Sequence, residues 1–92
     1  MTYDDDLMVD GTAVAGDLRE IFAIDVTVAT GECTACGNVG RFAEAHAYTQ
    51  APGIVVRCPK CEGVLLRFVR SAQRSWLDVR GLAYLEFAAP RV

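Results

Sequence analysis

A chain of 92 residues and 10.0 kDa has room for one small domain and not for two independent cores. Its 9 Lys+Arg against 12 Asp+Glu leave a net charge of −3, which excludes a wholesale polybasic nucleic-acid binder. With 52% apolar and 23% charged residues it is not a mostly disordered chain, and no run of about 18 apolar residues is present to span a membrane.

In chain order, residues 1–9 carry few structural cues and read as a flexible N-terminal segment. They show neither the basic start nor the apolar run of a secretory signal, so the expected location is cytoplasmic. A single domain is expected over 10–87, with a C-terminal tail at 88–92. Asp10-Gly11-Thr12 looks like a helix start with Asp10 or Thr12 as N-cap. Val14, Leu18, Ile21 and Phe22 then recur at helical spacing, which predicts a helix from about Thr12 to Ala23. Gly16 weakens that helix by about 1 kcal/mol relative to alanine.

The β-branched run from Asp25 to Thr30 predicts a strand, and Phe42 to Tyr48 another. Gln50 to Gly53 reads as a turn, followed by a short strand at Ile54 to Arg57. Val64 to Arg70 carries the strongest strand pattern. A polar turn at Ser71 to Ser75 separates it from a strand at Trp76 to Arg80. Gly81 permits a bend before a last strand at Leu82 to Phe87.

All four cysteines fall into two pairs of one spacing, Cys33-Thr34-Ala35-Cys36 and Cys58-Pro59-Lys60-Cys61. Two thiolates separated by two residues can point at one ion if the chain turns tightly between them. Backbone amides of that turn then point at the sulfurs and disperse their charge. Pro59 suits such a turn, and the amides expected to reach the sulfur lie at Lys60 and Cys61. Gly37 follows the first pair and can adopt the left-handed conformation that ends it. Glu62 holds that place in the second pair, with Gly63 one later, which predicts a longer or more strained turn.

Two such pairs supply four sulfurs in the tetrahedron that zinc accepts, so Cys33, Cys36, Cys58 and Cys61 are the expected metal ligands. Structural disulfides need an oxidising compartment, and a dithiol redox site would leave one pair unexplained. Zinc is the first expectation and a rubredoxin-type iron site the alternative. Four cysteine donors leave no ligand position open to water, which is the mark of a structural rather than a catalytic zinc. A small domain is marginal on apolar burial alone, so the metal is expected to be a condition of folding at least around the cysteines.

Charge is unevenly distributed. Residues 1–32 carry eight acids and one base, while residues 57–92 carry seven bases and three acids. Arg67, Arg70, Arg74, Trp76 and Arg80 could form a phosphate-contacting or base-stacking face, against the plainer reading that Trp76 covers one side of the sheet. His46, the one histidine, reads as an ordinary strand residue, since a fifth ligand would be redundant. Glu44 and Glu62 have no evident partner for acid–base work, and no Ser/His/Asp grouping or glycine-rich phosphate loop is present.

The segment from Leu7 to Phe22 is followed by A-T-G-x-C-x-x-C-G at Ala29 to Gly37. V-x-R-C-P-x-C-x-x-V-L-L-R comes at Val55 to Arg67 and W-L-D-x-R-G at Trp76 to Gly81. Together they resemble a family of short bacterial proteins known only as a domain of unknown function, over roughly residues 7 to 87. The resemblance implies a zinc-ribbon-like fold and no assigned activity. The second cysteine pair is also similar to the C-P-x-C-G of rubredoxins and zinc ribbons, with Glu62 departing from it.

The sequence thus predicts an α+β, zinc-ribbon-like domain: a small antiparallel sheet, two CxxC knuckles and one N-terminal helix. It is read as a non-enzymatic zinc module that binds a protein partner or a second copy of itself. The alternatives are a nucleic-acid-binding module and an iron electron-transfer protein.

Overall fold

The computed structural model describes residues 8–22, 26–49 and 53–88. Among the described residues eight strands form two antiparallel sheets. The larger sheet has the order β1-β4-β5-β6-β7 and consists of Met8–Asp10, His46–Tyr48, Gly53–Arg57, Val64–Arg70 and Ser75–Asp78. The smaller has the order β3-β2-β8 and consists of Val39–Arg41, Thr30–Cys33 and Leu82–Glu86.

This architecture overturns the expected α+β, zinc-ribbon-like fold with one small sheet and an N-terminal helix. The described chain is mostly β, in two sheets, and the expected helix does not start at Thr12. A 3-10 turn occupies Gly11–Val14 instead, and only the eight residues Ala15–Phe22 (α1) continue as helix. The cause is local. The Asp10 carboxylate accepts from the Thr12 amide at 3.1 Å and bends the chain straight out of β1. Gly11 then presses on the Phe42 carbonyl, where a Cβ would overlap it. Val14 and Leu18 are fully buried as the helical spacing predicted. The side chains of Ile21 and Phe22, and residues 23–25, lie outside the described set.

Other boundaries shift in the same way. Val26–Val28 forms a 3-10 turn rather than the start of a strand, and β2 begins at Thr30. Phe42–Glu44 is a 3-10 turn ahead of β4, which keeps only His46–Tyr48 of the expected strand. β5, β6, β7 and β8 stand close to where the patterning put them, while β1 and β3 were not foreseen. The flexible segment expected at 1–9 is described only from Met8, which pairs with Tyr48 in β1–β4. Residues 1–7, residues 50–52 of the turn expected at Gln50 to Gly53, and residues 89–92 of the tail expected at 88–92 lie outside the described residues. No helix among the described residues is long and apolar enough to cross a membrane.

One cluster of buried side chains makes the core. It joins Val14 and Leu18 to Val56, Leu66 and Phe68 of the larger sheet. Cys33 and Cys58 belong to the same cluster, so the cysteine pairs are anchored in the core rather than hung on surface loops. The chain passes between the sheets at Val79 to Leu82, closed by a bond from the Leu82 amide to the Val79 carbonyl at 3.0 Å. Gly81 makes this crossing possible, because a side chain there would overlap the Val64 carbonyl oxygen.

Candidate metal centre

Each cysteine pair caps a hairpin, and the two hairpins belong to different sheets. Cys33 ends β2 and its turn leads into β3; Cys58 follows β5 and its turn leads into β6. The two turns are built alike. In the first, the Gly37 amide donates to the Cys33 carbonyl at 2.9 Å and the Cys33 amide to the Asn38 carbonyl at 2.9 Å. In the second, Glu62 donates to Cys58 at 2.9 Å and Cys58 to Gly63 at 2.8 Å. Gly37 has φ 78° and Glu62 has φ 62°, so both turns close through a left-handed residue. The second turn is not longer than the first; it places a glutamate where glycine is the natural choice.

The turns bring all four sulfurs together. Every pair of Sγ atoms lies within 4.8 Å, and the cross-turn pairs Cys33–Cys61 and Cys36–Cys58 are each 3.7 Å apart. A tetrahedron of sulfurs about 2.3 Å from a central ion has edges of about 3.8 Å. A disulfide would need about 2.05 Å, and all four cysteines are free. Cys33 and Cys58, the first of each pair, are buried, while Cys36 and Cys61 reach the surface. The Lys60 amide donates to the Cys58 sulfur at 3.4 Å and the Gly63 amide to the Cys61 sulfur at 3.3 Å.

The proton equilibria fit a cation-binding donor set. At Cys58 burial raises the thiol pKa, but donation from the Cys61 and Lys60 amides and from neighbouring thiols brings it down to about 7. At Cys36 the Asn38 amide pulls the pKa down. Burial and the sulfurs of Cys61, Cys58 and Cys33 outweigh it and push the value up to about 12. A divalent cation at the centre of the four sulfurs would favour their thiolate forms.

Around the second turn lies a brace that the sequence reading missed. His46 Nδ1 donates to Glu62 Oε2 at 2.6 Å and the Tyr48 hydroxyl to Glu62 Oε1 at 3.2 Å. Arg57 Nη1 donates to the Glu62 carbonyl at 2.7 Å. Glu62 therefore has partners after all, and His46 lies outside the group of four sulfurs. The available signal was the glutamate itself, standing where glycine follows the other CxxC.

The candidate nucleic-acid residues are distributed over both sides of the larger sheet. Arg67 pairs with Asp78 and Val69 with Trp76 across β6–β7, so Arg67, Trp76 and Asp78 share the face turned away from buried Leu66 and Phe68. Arg70 lies on the opposite face, its guanidinium 5.3 Å from the Phe68 ring centroid. Arg80 is bound to the Asp78 carboxylate, with Nη2 to Oδ2 at 2.7 Å. That arginine lowers the Asp78 pKa to about 2. Arg74 sits in the β6–β7 turn, where its carbonyl accepts from the Ser71 amide at 2.7 Å.

The model of a family of unknown function, DUF6510, matches residues 4–90. The chain belongs to the DUF6510 family. No curated protein and no solved structure matches it. Membership fixes what the chain is related to and attaches no activity to the four-cysteine cluster, which could hold a metal ion.

Proposed function

We propose that this DUF6510 domain is a non-enzymatic module in which a structural zinc ion, held by Cys33, Cys36, Cys58 and Cys61, clamps the two sheets together and so presents a fixed surface to a protein partner. The observation that carries this reading is the donor set. Four sulfurs, two from each cysteine turn, lie within 4.8 Å of one another, and Cys33–Cys61 and Cys36–Cys58, at 3.7 Å, match the edge of a tetrahedral four-sulfur site. Four cysteine ligands complete the coordination of zinc and leave no position for a substrate or an activated water. The ion's role is then mechanical, and its binding free energy contributes directly to folding. A protein partner suits the surface better than a nucleic acid does. The exposed large side chains include Val28, Val39, Trp76 and Tyr84, while the arginines near Trp76 are divided between two faces or already bound to Asp78.

Elemental analysis of protein purified without chelators tests the metal assignment. The expected result is one zinc per chain in a colourless sample. One iron per chain with the absorption of an oxidised iron–thiolate site would replace zinc by the electron-transfer alternative. A well-folded protein with no bound metal would overturn both.

A further inference from the structure

The larger sheet ends at β7, which among the described residues has a strand neighbour on one side only. An edge of this kind presents a row of unpaired backbone groups, and proteins normally guard it with charge, proline or a covering segment. β7 has no proline, and its Trp76 and Leu77 are 53% and 37% exposed. Charges stand at its two ends, Arg74 just before it and Asp78 as its last residue.

We infer that two copies of this domain pair antiparallel through β7 about a two-fold axis at Trp76, which continues the larger sheet from one copy into the other. The inference rests on the interaction reading above and names its partner.

The register follows from strand geometry and charge. Opposed residues in an antiparallel ladder must both turn their backbone groups toward each other or both away. In a symmetric pair their numbers therefore add to an even total, and the axis passes through a residue rather than between two. An axis at Leu77 would set Arg74 against the partner's Arg80. One at Asp78 would set that carboxylate against the partner's Asp78. An axis at Ser75 would leave the charges without complements. Only the axis at Trp76 puts Arg74 opposite the partner's Asp78, and symmetry makes that contact twice.

The same register sets Trp76 against the partner's Trp76 on the solvent face, beside Val69 of β6. Asp78 already lies opposite Arg67 and is held by its own Arg80 at 2.7 Å, so the partner's Arg74 would join a carboxylate that two arginines of the same chain already face. The remaining edges lack this complementarity. β1 and β3 are three residues long, and the charge in β8 is Glu86 alone.

Sedimentation equilibrium over a concentration series, with metal content measured on the same samples, tests the inference. The expected result is a reversible dimer. Emission from Trp76, the chain's one tryptophan, should shift to the blue as dimer forms. Arg74→Asp or Asp78→Arg alone sets like charges opposite twice and should weaken dimerisation about tenfold or more. Mixing the two variants opposes two acids of one chain to two arginines of the other, and should restore association as a heterodimer.

A wild-type protein that stays monomeric at several hundred micromolar, or a dimer in which Trp76 emission does not move, would overturn the inference. So would a dimer insensitive to Arg74→Asp. None of these outcomes bears on the metal reading, which fails only if the same samples are folded and free of metal.

Discussion

The two cysteine turns have the same backbone and different means of support. Both close through matching amide–carbonyl bonds and a left-handed residue at the position after the second cysteine. In the first turn that residue is Gly37, which adopts the conformation freely. In the second it is Glu62, whose side chain is bound by His46 and Tyr48 and whose carbonyl is bound by Arg57. A residue with a Cβ in this conformation costs about 1–2 kcal/mol. The charge-assisted bonds to Glu62 offset a cost of that size. The first turn draws its outside support from the carbonyls of the crossing segment, through the Thr34 amide bound to Gly81 at 2.9 Å and the Thr34 hydroxyl bound to Arg80 at 3.3 Å. The same loop can thus be stabilised by conformational freedom in one sheet and by side-chain bonding in the other.

The largest expected effect removes what the two turns share. Cys33→Ser or Cys58→Ser deletes a buried sulfur of the proposed zinc site and should abolish tight metal binding. The loss is set by a metal binding free energy on the order of 10 kcal/mol, and metal stoichiometry with circular dichroism would register it. Acid should reach the same end reversibly. Protons compete with the proposed ion for the sulfurs, so its stabilisation should be present at neutral pH and lost as pH falls. Zinc release against a chromophoric chelator should rise monotonically on acidification. Next comes the backbone support of the first turn. Gly81→Ala forces a Cβ into the Val64 carbonyl and should lower unfolding free energy by about 3 kcal/mol in denaturant titration.

Exchanging the distinctive residues sharpens the contrast at smaller cost. Gly37→Glu imposes the left-handed strain without a brace and should destabilise by about 1–2 kcal/mol. Glu62→Gly removes strain and brace together and should change stability by less than about 1 kcal/mol. Smallest is His46→Ala. Because Glu62 is half exposed, the loss should be only about 0.5 kcal/mol in the wild type. It should vanish in the Glu62→Gly background, which a double-mutant cycle of thermal unfolding would check.

What the sequence made legible follows from how local each signal was. The cysteine quartet was readable because ligand chemistry imposes a spacing that survives any fold. β6 was readable because seven residues of apolar patterning leave little choice. The expected helix failed because periodicity records which side chains are buried, not what backbone buries them. Val14 and Leu18 are indeed in the core, but a capped 3-10 turn delivers the first and a short helix the second. β1 and β3 escaped notice because three residues are too few to show alternation and each is held by a partner distant in the chain or across a turn. The role of Glu62 depended on His46 and Tyr48 from another strand, a contact that no spacing rule encodes.

The proposed clamp between the sheets requires one ion that joins both turns. X-ray absorption at the metal edge of the purified protein measures this directly. It should report a single shell of four sulfurs at about 2.3 Å, with no nitrogen or oxygen donor. A shell with two sulfurs completed by lighter atoms would mean that the turns do not share an ion, and would contradict the clamp between the sheets.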